Sequence, residues 1–281
     1  MLDYRIYTFL KLCDLMNYRA TAQVLNMTQP AVTQHIQYLE QKYNCKLFSY
    51  NGKNLSKTQA AAMLERYARS ASYNELSLRE KLSSPARVSI NVGATKTIGD
   101  YVIGDQIANI MGQSDIELSL VVDNTEHLLD MLNHNEIDIA LIEGFFDKKN
   151  YNYKLLRTER FVGICAKDHP FAGREVSMKD LFSETIIFRE QGSGTRAIFE
   201  QILLEHNYTP DCFVRKAYIS SFELIKKLVL NDCGISFVYE AVAQSDNNLG
   251  VFTINNVDVQ REFNYVYLKD TSADKLISLF E

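Results

Sequence analysis

The 281 residues are 46% hydrophobic and 23% charged, which excludes a fibre or a disordered tail and favours several buried cores. The net charge of −5 divides into +5 for residues 1–84 and −10 for the rest, so a small basic module precedes a larger acidic one. We expect a cytoplasmic protein with no cofactor and no membrane contact, because no signal peptide, membrane-length apolar stretch, disulfide spacing or metal pattern is present.

Two short helices are predicted in the first 25 residues. Ile6, Phe9 and Cys13 share one helical face, which ends near Asn17. Residues 19–25 form a second helix whose small and apolar side chains suit close helix crossing.

A third helix is predicted over residues 28–43, with Thr28 as its N-cap and Pro30 in its first turn. Because a short turn joins it to the second helix, the pair is typical of a DNA-binding helix-turn-helix. Glutamine can bond adenine bidentately, and small apolar groups can contact the thymine methyl. An ordinary polar surface helix is the alternative. The side chains expected to read bases are Gln29, Ala31, Thr33, Gln34 and Gln37.

The next segment, residues 46–57, predicts a hairpin around Asn51-Gly52. Such a hairpin is typical of a wing that contacts phosphates. The expected phosphate contacts are Arg19, Lys46, Lys53 and Lys57.

Residues 2–70 resemble the winged helix-turn-helix of LysR-type transcriptional regulators. The matching residues are Phe9, Ala22, Leu25, Thr28, Gln29, Pro30, Ala31, Val32, Thr33, Ile36, Leu39, Glu40, Leu47, Phe48 and Thr58. Gln34 and Tyr50 stand where this family usually has Arg, and Ala61 where Gly is common, so fewer phosphate contacts and weaker DNA affinity are expected. The resemblance implies a regulator that binds double-stranded promoter DNA as a homodimer or dimer of dimers, with RNA polymerase as a further partner.

Residues 58–84 predict one long helix that follows the DNA-binding domain of residues 1–57. Its narrow apolar stripe either packs on its own domain or pairs with a second copy. The resemblance implies the second arrangement, a linker helix through which subunits pair. Ser83-Ser84-Pro85 then breaks the helix. The stripe consists of Leu64, Ala68, Ala71, Leu78 and Leu82.

Residues 85–281 predict an α/β unit with mainly parallel sheets, because strands and helices alternate. The resemblance implies that this unit is an effector-binding domain. Strands are expected at 88–92, 117–122, 137–142, 161–166, 185–188, 213–218, 235–238 and 263–268. Helices are expected at 99–111, 126–133, 178–182, 194–206 and 221–231. The resemblance implies two periplasmic-binding-protein-like lobes joined by two crossover strands: lobe one with residues 88–160 and 266–281, and lobe two with residues 161–265.

Ligands of such sheets bind beyond the carboxyl ends of the strands. A glycine-rich segment lies at residues 189–196, R-E-Q-G-S-G-T-R, where the glycines make the backbone more flexible. The segment also begins a helix, whose first N–H groups attract an anion. We therefore expect a small anionic effector, with Glu143 repelling it or accepting a hydroxyl from it. The alternative is a plain helix cap beside a structural cleft that holds no effector. The candidate effector residues are Thr95, Lys96, Thr97, Asn124, Thr125, Ser193, Gly194, Thr195 and Arg196.

An enzyme is the competing class. The five histidines are scattered, and no serine lies in a G-x-S-x-G elbow. We expect no catalytic activity.

Overall fold

The computed structural model describes residues 2–52, 54–83 and 88–280, and Lys53, a predicted phosphate contact, lies outside them. The chain begins with three helices and a hairpin. Their bounds are α1 Tyr4–Leu15, α2 Tyr18–Val24, α3 Gln29–Tyr43, β1 Phe48–Asn51 and β2 Asn54–Lys57.

The starts of the three helices are fixed by local hydrogen bonds. The side chain of Asp3 accepts from the Arg5 N–H, that of Asn17 from two N–H groups of α2, and that of Thr28 from the Ala31 N–H. Each bond satisfies a donor that has no partner inside its own helix. The predicted N-cap Thr28 is therefore confirmed.

The hairpin is antiparallel, with Asn51 opposite Asn54, as Asn51-Gly52 predicted. Glu40 of α3 holds its base, since Glu40 Oε1 accepts the Leu47 N–H at 2.9 Å. Phe9, Ile36, Leu47 and neighbouring apolar residues form one buried cluster beneath the hairpin.

The long helix α4, Gln59–Ser83, begins at Thr58, whose hydroxyl accepts the Ala61 N–H. Ala68 is fully buried and Leu64 packs on the cluster of the first domain. Both residues therefore contact the first domain of their own chain, because α1 packs against this side of α4. The pairing role of the helix stays a prediction. Leu78 and Leu82, farther along the stripe, remain exposed.

The remaining chain forms a two-lobed α/β unit. Its elements are β3 Val88–Thr95, α5 Lys96–Tyr101, α6 Gly104–Met111, β4 Ile116–Asp123, α7 Thr125–Asn133, β5 Ile139–Glu143, β6 Tyr151–Ala166, β7 Glu175–Val176, β8 Thr185–Phe188, α8 Gly194–Glu205, β9 Arg215–Tyr218, α9 Phe222–Leu230, β10 Ser236–Tyr239, α10 Glu240–Gln244, β11 Leu249–Ile254 and β12 Gln260–Leu268. Short 3-10 helices lie at Asp180–Ser183, Pro210–Cys212 and Ser272–Leu279.

One long strand links the lobes. The first part of β6 pairs with β12 in the order β4-β3-β5-β12-β6, and its second part pairs with β10 and β11 of the other lobe. The change of partner falls between Arg160 and Phe161, as predicted. Because β12 pairs along its whole length with β5 or β6 in lobe one, the chain returns to that lobe near residue 260 rather than 266.

The sheets are mixed rather than mainly parallel. β3 pairs in parallel with β4 and β5, and β8 with β9, whereas β6 and β12 pair antiparallel with each other and with other strands. The crossing strands run back between the lobes and therefore oppose their neighbours. Among the described residues, no helix is long and apolar enough to cross a membrane.

Candidate functional site

The polar face of α3 is open to solvent. Gln29, Gln34 and Gln37 are exposed, while Ala31 and Thr33 are half-buried beside them. The Thr33 hydroxyl donates to the Gln29 carbonyl at 3.1 Å, so its oxygen can still accept a hydrogen bond. Val32, Ile36 and Leu39 are buried, which fixes the opposite face against the core and leaves this row of amides presented as predicted.

Two of the predicted phosphate-binding lysines already have carboxylate partners. Lys46 Nζ lies 2.7 Å from Glu40 Oε2, and Lys57 Nζ lies 2.8 Å from Glu65 Oε2. Phosphate binding by either lysine competes with its ion pair. Arg19 is exposed at the start of α2 and has no such partner among the described residues.

A second candidate site is the cleft between the lobes, a cavity of about 660 Å³. The strands β3, β4, β5 and β8 all end at it, which follows the rule for ligands of open α/β sheets. It is lined by Thr95, Lys96, Asp123, Asn124, Thr125, Glu126, Leu129, Glu143, Phe145, Arg189, Glu190, Gln191, Gly192, Ser193 and Gly194.

Six of the nine predicted effector residues line this cavity and three do not. Thr97 is fully buried behind it, and Thr195 is 2% exposed inside the first turn of α8. Arg196 contacts residues outside the cavity lining. Its Nε donates to Glu200 at 2.7 Å, and its guanidinium lies 4.8 Å from the centre of the Tyr218 ring. These three residues do not line the cavity, and their role in effector binding stays a prediction.

The N-terminus of α8 lies at the cleft, which Ser193 and Gly194 line. Ser193 is its N-cap in an extended conformation but makes no side-chain capping bond. The helix has 12 residues, so the positive end of its dipole adds to the free N–H groups. By contrast α5 has six residues, too few for its N-terminus to hold an anion alone.

The two cations of the cleft share one carboxylate. Glu190 accepts from Arg189 Nε at 2.8 Å and Nη2 at 3.0 Å, and its Oε1 lies 3.6 Å from Lys96 Nζ. Arg189 is 4% exposed and lies 3.9 Å over the Phe222 ring. Burial opposes the charge of Glu190, but the bonds from Arg189 outweigh it and hold the pKa of Glu190 below its usual value.

Glu143 ends β5 at the floor of the cleft and is 7% exposed. Its Oε1 accepts the Thr97 hydroxyl at 2.9 Å, while its Oε2 is buried with no hydrogen-bond partner among the described residues. Burial raises the pKa of Glu143 to about 7, against the lowering effects of the Thr97 bond, of Arg189 and of the neighbouring Thr95 hydroxyl. The Thr95 hydroxyl itself makes no hydrogen bond within the described residues. A carboxyl of this kind changes charge near neutral pH.

Sequence reasoning placed Asp123, Glu143, Arg189 and Glu190 at the carboxyl ends of strands but did not include them among the effector residues. The structure places all four in the lining of the cleft. Their mutual pairing depends on contacts between distant segments and has no local signature.

Comparison with known proteins gives two family matches. Residues 4–62 match the model of the bacterial regulatory helix-turn-helix protein, lysR family, and residues 83–281 match the LysR substrate binding domain. The chain is 25% identical over 268 residues to the HTH-type transcriptional regulator CysL of Bacillus subtilis, covering 92% of this chain and 89% of that protein.

Solved structures share the fold. The Corynebacterium glutamicum OxyR C206 mutant matches with a TM-score of 0.60 at 23% identity, over 98% of this chain and 88% of that one. The Synechocystis CcmR regulatory domain in complex with 2-PG matches with a TM-score of 0.61 at 24% identity, over 68% of this chain and 95% of that one.

Proposed function

Because the chain belongs to the LysR family of bacterial transcriptional regulators, we propose that it reads promoter DNA with α3 and the β1–β2 wing under the control of a small anionic effector. The observation that carries the effector is the start of α8, where Ser193 makes no side-chain capping bond and both Ser193 and Gly194 line the cavity. The helix N-terminus supplies donors and positive potential suited to carboxylate, sulfate or phosphate.

Other lining groups complete the anion site. Thr95, Asn124 and Thr125 offer hydroxyl and amide groups. Lys96 adds a cation, whose Nζ lies 3.6 Å from Glu190 Oε1. A small ligand, named 2-PG, is bound by the CcmR domain of the same fold, which supports a ligand rather than a purely structural cleft in this chain.

The effector proposal is tested with a pair of substitutions at Gly194. Gly194 is the first residue of α8 and has open space around its Cβ position, so proline fits there and removes one N–H. Gly194→Pro should weaken anion binding about 10- to 100-fold, as expected for a lost charge-assisted hydrogen bond. Gly194→Ala keeps the N–H and is the matched control. Calorimetry of the full chain with inorganic anions and small carboxylates provides the measurement, and equal affinities for both variants contradict the site.

For DNA, we assign base reading to Gln29, Ala31, Thr33, Gln34 and Gln37, and phosphate contact to Arg19, Lys46, Lys53 and Lys57, with Thr28 and Pro30 starting the reading helix. The exposed amide row on α3 supports this assignment.

Two substitutions separate reading from phosphate binding. Gln29→Ala should lose about 1 to 3 kcal/mol of discrimination at one base pair, whereas Arg19→Ala should weaken all sequences alike and lower the salt slope by about 1. The assay is titration of the full chain with DNA from upstream of its own gene and with shuffled DNA. Equal affinity of the unaltered protein for both DNAs refutes the proposal.

We assign subunit pairing to the exposed part of α4. Leu78 and Leu82 are 56% and 75% exposed, and Met63 and Tyr67 are exposed nearer the start of the helix. Leu78→Glu with Leu82→Glu should shift the protein toward monomers in sedimentation, while Lys81→Glu should not. Persistent dimers in the double variant contradict the assignment.

Helix α7 provides a route from effector to DNA. Asn124, its N-cap, lines the cleft, while at its other end the Asn133 carbonyl accepts from Arg69 of α4 at 2.8 Å and His134 bonds Asp14 of α1 at 3.0 Å. An effector changes the equilibrium between two arrangements of this junction only if its affinity differs between them. His134→Ala should therefore weaken the effect of the bound anion on DNA affinity, and an unchanged effect contradicts this route.

A further inference from the structure

The cleft contains more acidic than basic side chains. Its lining has four carboxyl groups against two cations, and both cations contact Glu190. A ligand that carries only negative charge therefore meets little uncompensated positive charge apart from the α8 N–H groups.

The other carboxylates differ in what they already bind. Asp123 Oδ2 lies 2.7 Å from His127 Nδ1, and its Oδ1 accepts the Asn124 N–H at 2.7 Å. Glu126 is exposed to solvent. Glu143 alone among the cleft carboxyls of the described residues is buried and has an oxygen, Oε2, without a partner.

The surroundings of Glu143 leave its charge largely unbalanced. Arg189 is the cation that faces it, and that guanidinium is committed to Glu190. Glu159 of β6 adds a like charge, and Tyr239 of β10 faces it with a hydroxyl that has no described partner. A buried acceptor without a donor is costly, and a charged donor from a ligand removes that cost.

Resting on the proposed function, we propose that the effector is a zwitterion of amino-acid type, whose carboxylate binds the start of α8 and whose protonated amine pairs with the Glu143 carboxylate. The amine both donates a hydrogen bond and balances the buried charge, whereas a hydroxyl does only the first. A ligand of zero net charge at this pair of groups also suits a domain that carries −10.

This pairing has a defined pH dependence. Burial raises the pKa of Glu143 to about 7, so its proton must leave before it can pair with an ammonium group. Affinity for the amine ligand, relative to its deaminated analogue, should therefore rise from pH 6 to pH 8. An anion without the amine prefers the neutral carboxyl, so its affinity should fall over the same range. The ratio of the two affinities cancels the titration of groups such as exposed His127 that act on the shared carboxylate.

The test uses ligands that differ at one carbon. L-alanine, L-lactate and propionate carry an amine, a hydroxyl or a hydrogen there, as do L-aspartate, L-malate and succinate, and L-glutamate, 2-hydroxyglutarate and glutarate. Calorimetry of the full chain at pH 6 and pH 8 should give at least one series in which the amine binds about 10- to 100-fold more tightly than the hydroxyl, the range for a charged hydrogen bond.

Glu143→Gln keeps the acceptor for the Thr97 hydroxyl but removes the charge. This variant should lose the preference for the amine and the pH dependence of the affinity ratio, whereas Glu117→Gln, an exposed carboxyl on β4, should retain both. The pH measurement on the unaltered protein tests the proposal independently of how the variant folds.

The outcomes separate the two proposals. Equal or tighter binding of the deaminated acids overturns the zwitterion and leaves the anion site intact. Absence of binding by every acid in all three series, with inorganic anions also failing, overturns the anion site and the zwitterion with it.

Discussion

Glu143 should make the protein less stable as pH rises through neutrality. Burial raises its pKa from 4.5 to about 7 in the folded chain, so the folded state binds the proton more tightly than the unfolded state. Stability is then unaffected below pH 4.5, falls between the two pKa values, and remains lower above pH 7. At about 1.4 kcal/mol per pH unit, the whole loss is about 3 kcal/mol.

Glu143→Gln removes the titrating carboxyl, so comparison with the unaltered protein isolates its contribution to the pH dependence of stability. Between pH 5 and pH 8, the free energy of unfolding of the unaltered protein should fall by about 2 to 3 kcal/mol more than that of the variant. Any constant cost of burying the amide cancels in this double difference. Urea unfolding can be followed by tyrosine fluorescence, because the chain has 16 Tyr and no Trp.

The expected change corresponds to about 1 M in urea midpoint for a typical dependence of stability on denaturant. The same pH dependence in both proteins would refute the burial of an ionisable carboxyl at the floor of the cleft. A steeper fall in the variant would have the wrong sign and refute it equally.

Three other substitutions, one of them with a matched control, test a contact of the cleft, a contact of the domain junction and a glycine position. Thr97→Val removes the hydroxyl that lowers the pKa of Glu143, so the pH-dependent loss of stability should extend to higher pH in the same urea assay. Arg69→Met removes the cation shared by two partly buried carboxylates, of which Glu65 keeps Lys57 and Asp14 keeps Lys11. It should cost about 1 to 3 kcal/mol in thermal unfolding, and an unchanged stability would show a solvent-screened network. Gly234→Ala should destabilise strongly, because φ is +154° and the new Cβ would clash with the Thr185 backbone oxygen. Gly104→Ala, with open space around its Cβ position, is the control and should be neutral or stabilising.

The first domain was predictable because its signals are local. Thr28 and Pro30 set the start of α3, and Asn51-Gly52 set the hairpin, within a few residues of the structure they specify. The start of α8 at Gly194 followed from the same kind of signal.

The sheet was only partly predictable. Periodicity found most strands but missed β7 and β11, which are short or lie beside a crossing strand. It also gave mainly parallel pairing, whereas the 16-residue β6 takes antiparallel partners from both lobes. The direction of a strand pair depends on which distant segments meet, and local patterning does not contain that information.

The apolar stripe of α4 shows a related difficulty. Ala68 and Leu78 belong to one stripe in the sequence, yet Ala68 is fully buried within the chain and Leu78 is 56% exposed. A helical stripe identifies the side that will be covered, but not which partner covers each turn. The first half packs on the first domain because the chain brings α1 there.

Charge in the cleft was the hardest property to predict, because it depends on pairing rather than on composition. Lys96 suggested an attraction for anions, but Glu190 lies 3.6 Å from its ammonium and also binds Arg189. The donors left without partners are backbone N–H groups at the start of α8, which have no mark in a count of charged residues. Likewise, burial rather than sequence gives Glu143 its raised pKa. The ligand that we propose for this cleft is therefore inferred from two features of the described residues, the start of α8 without a side-chain cap and the Glu143 oxygen without a hydrogen bond.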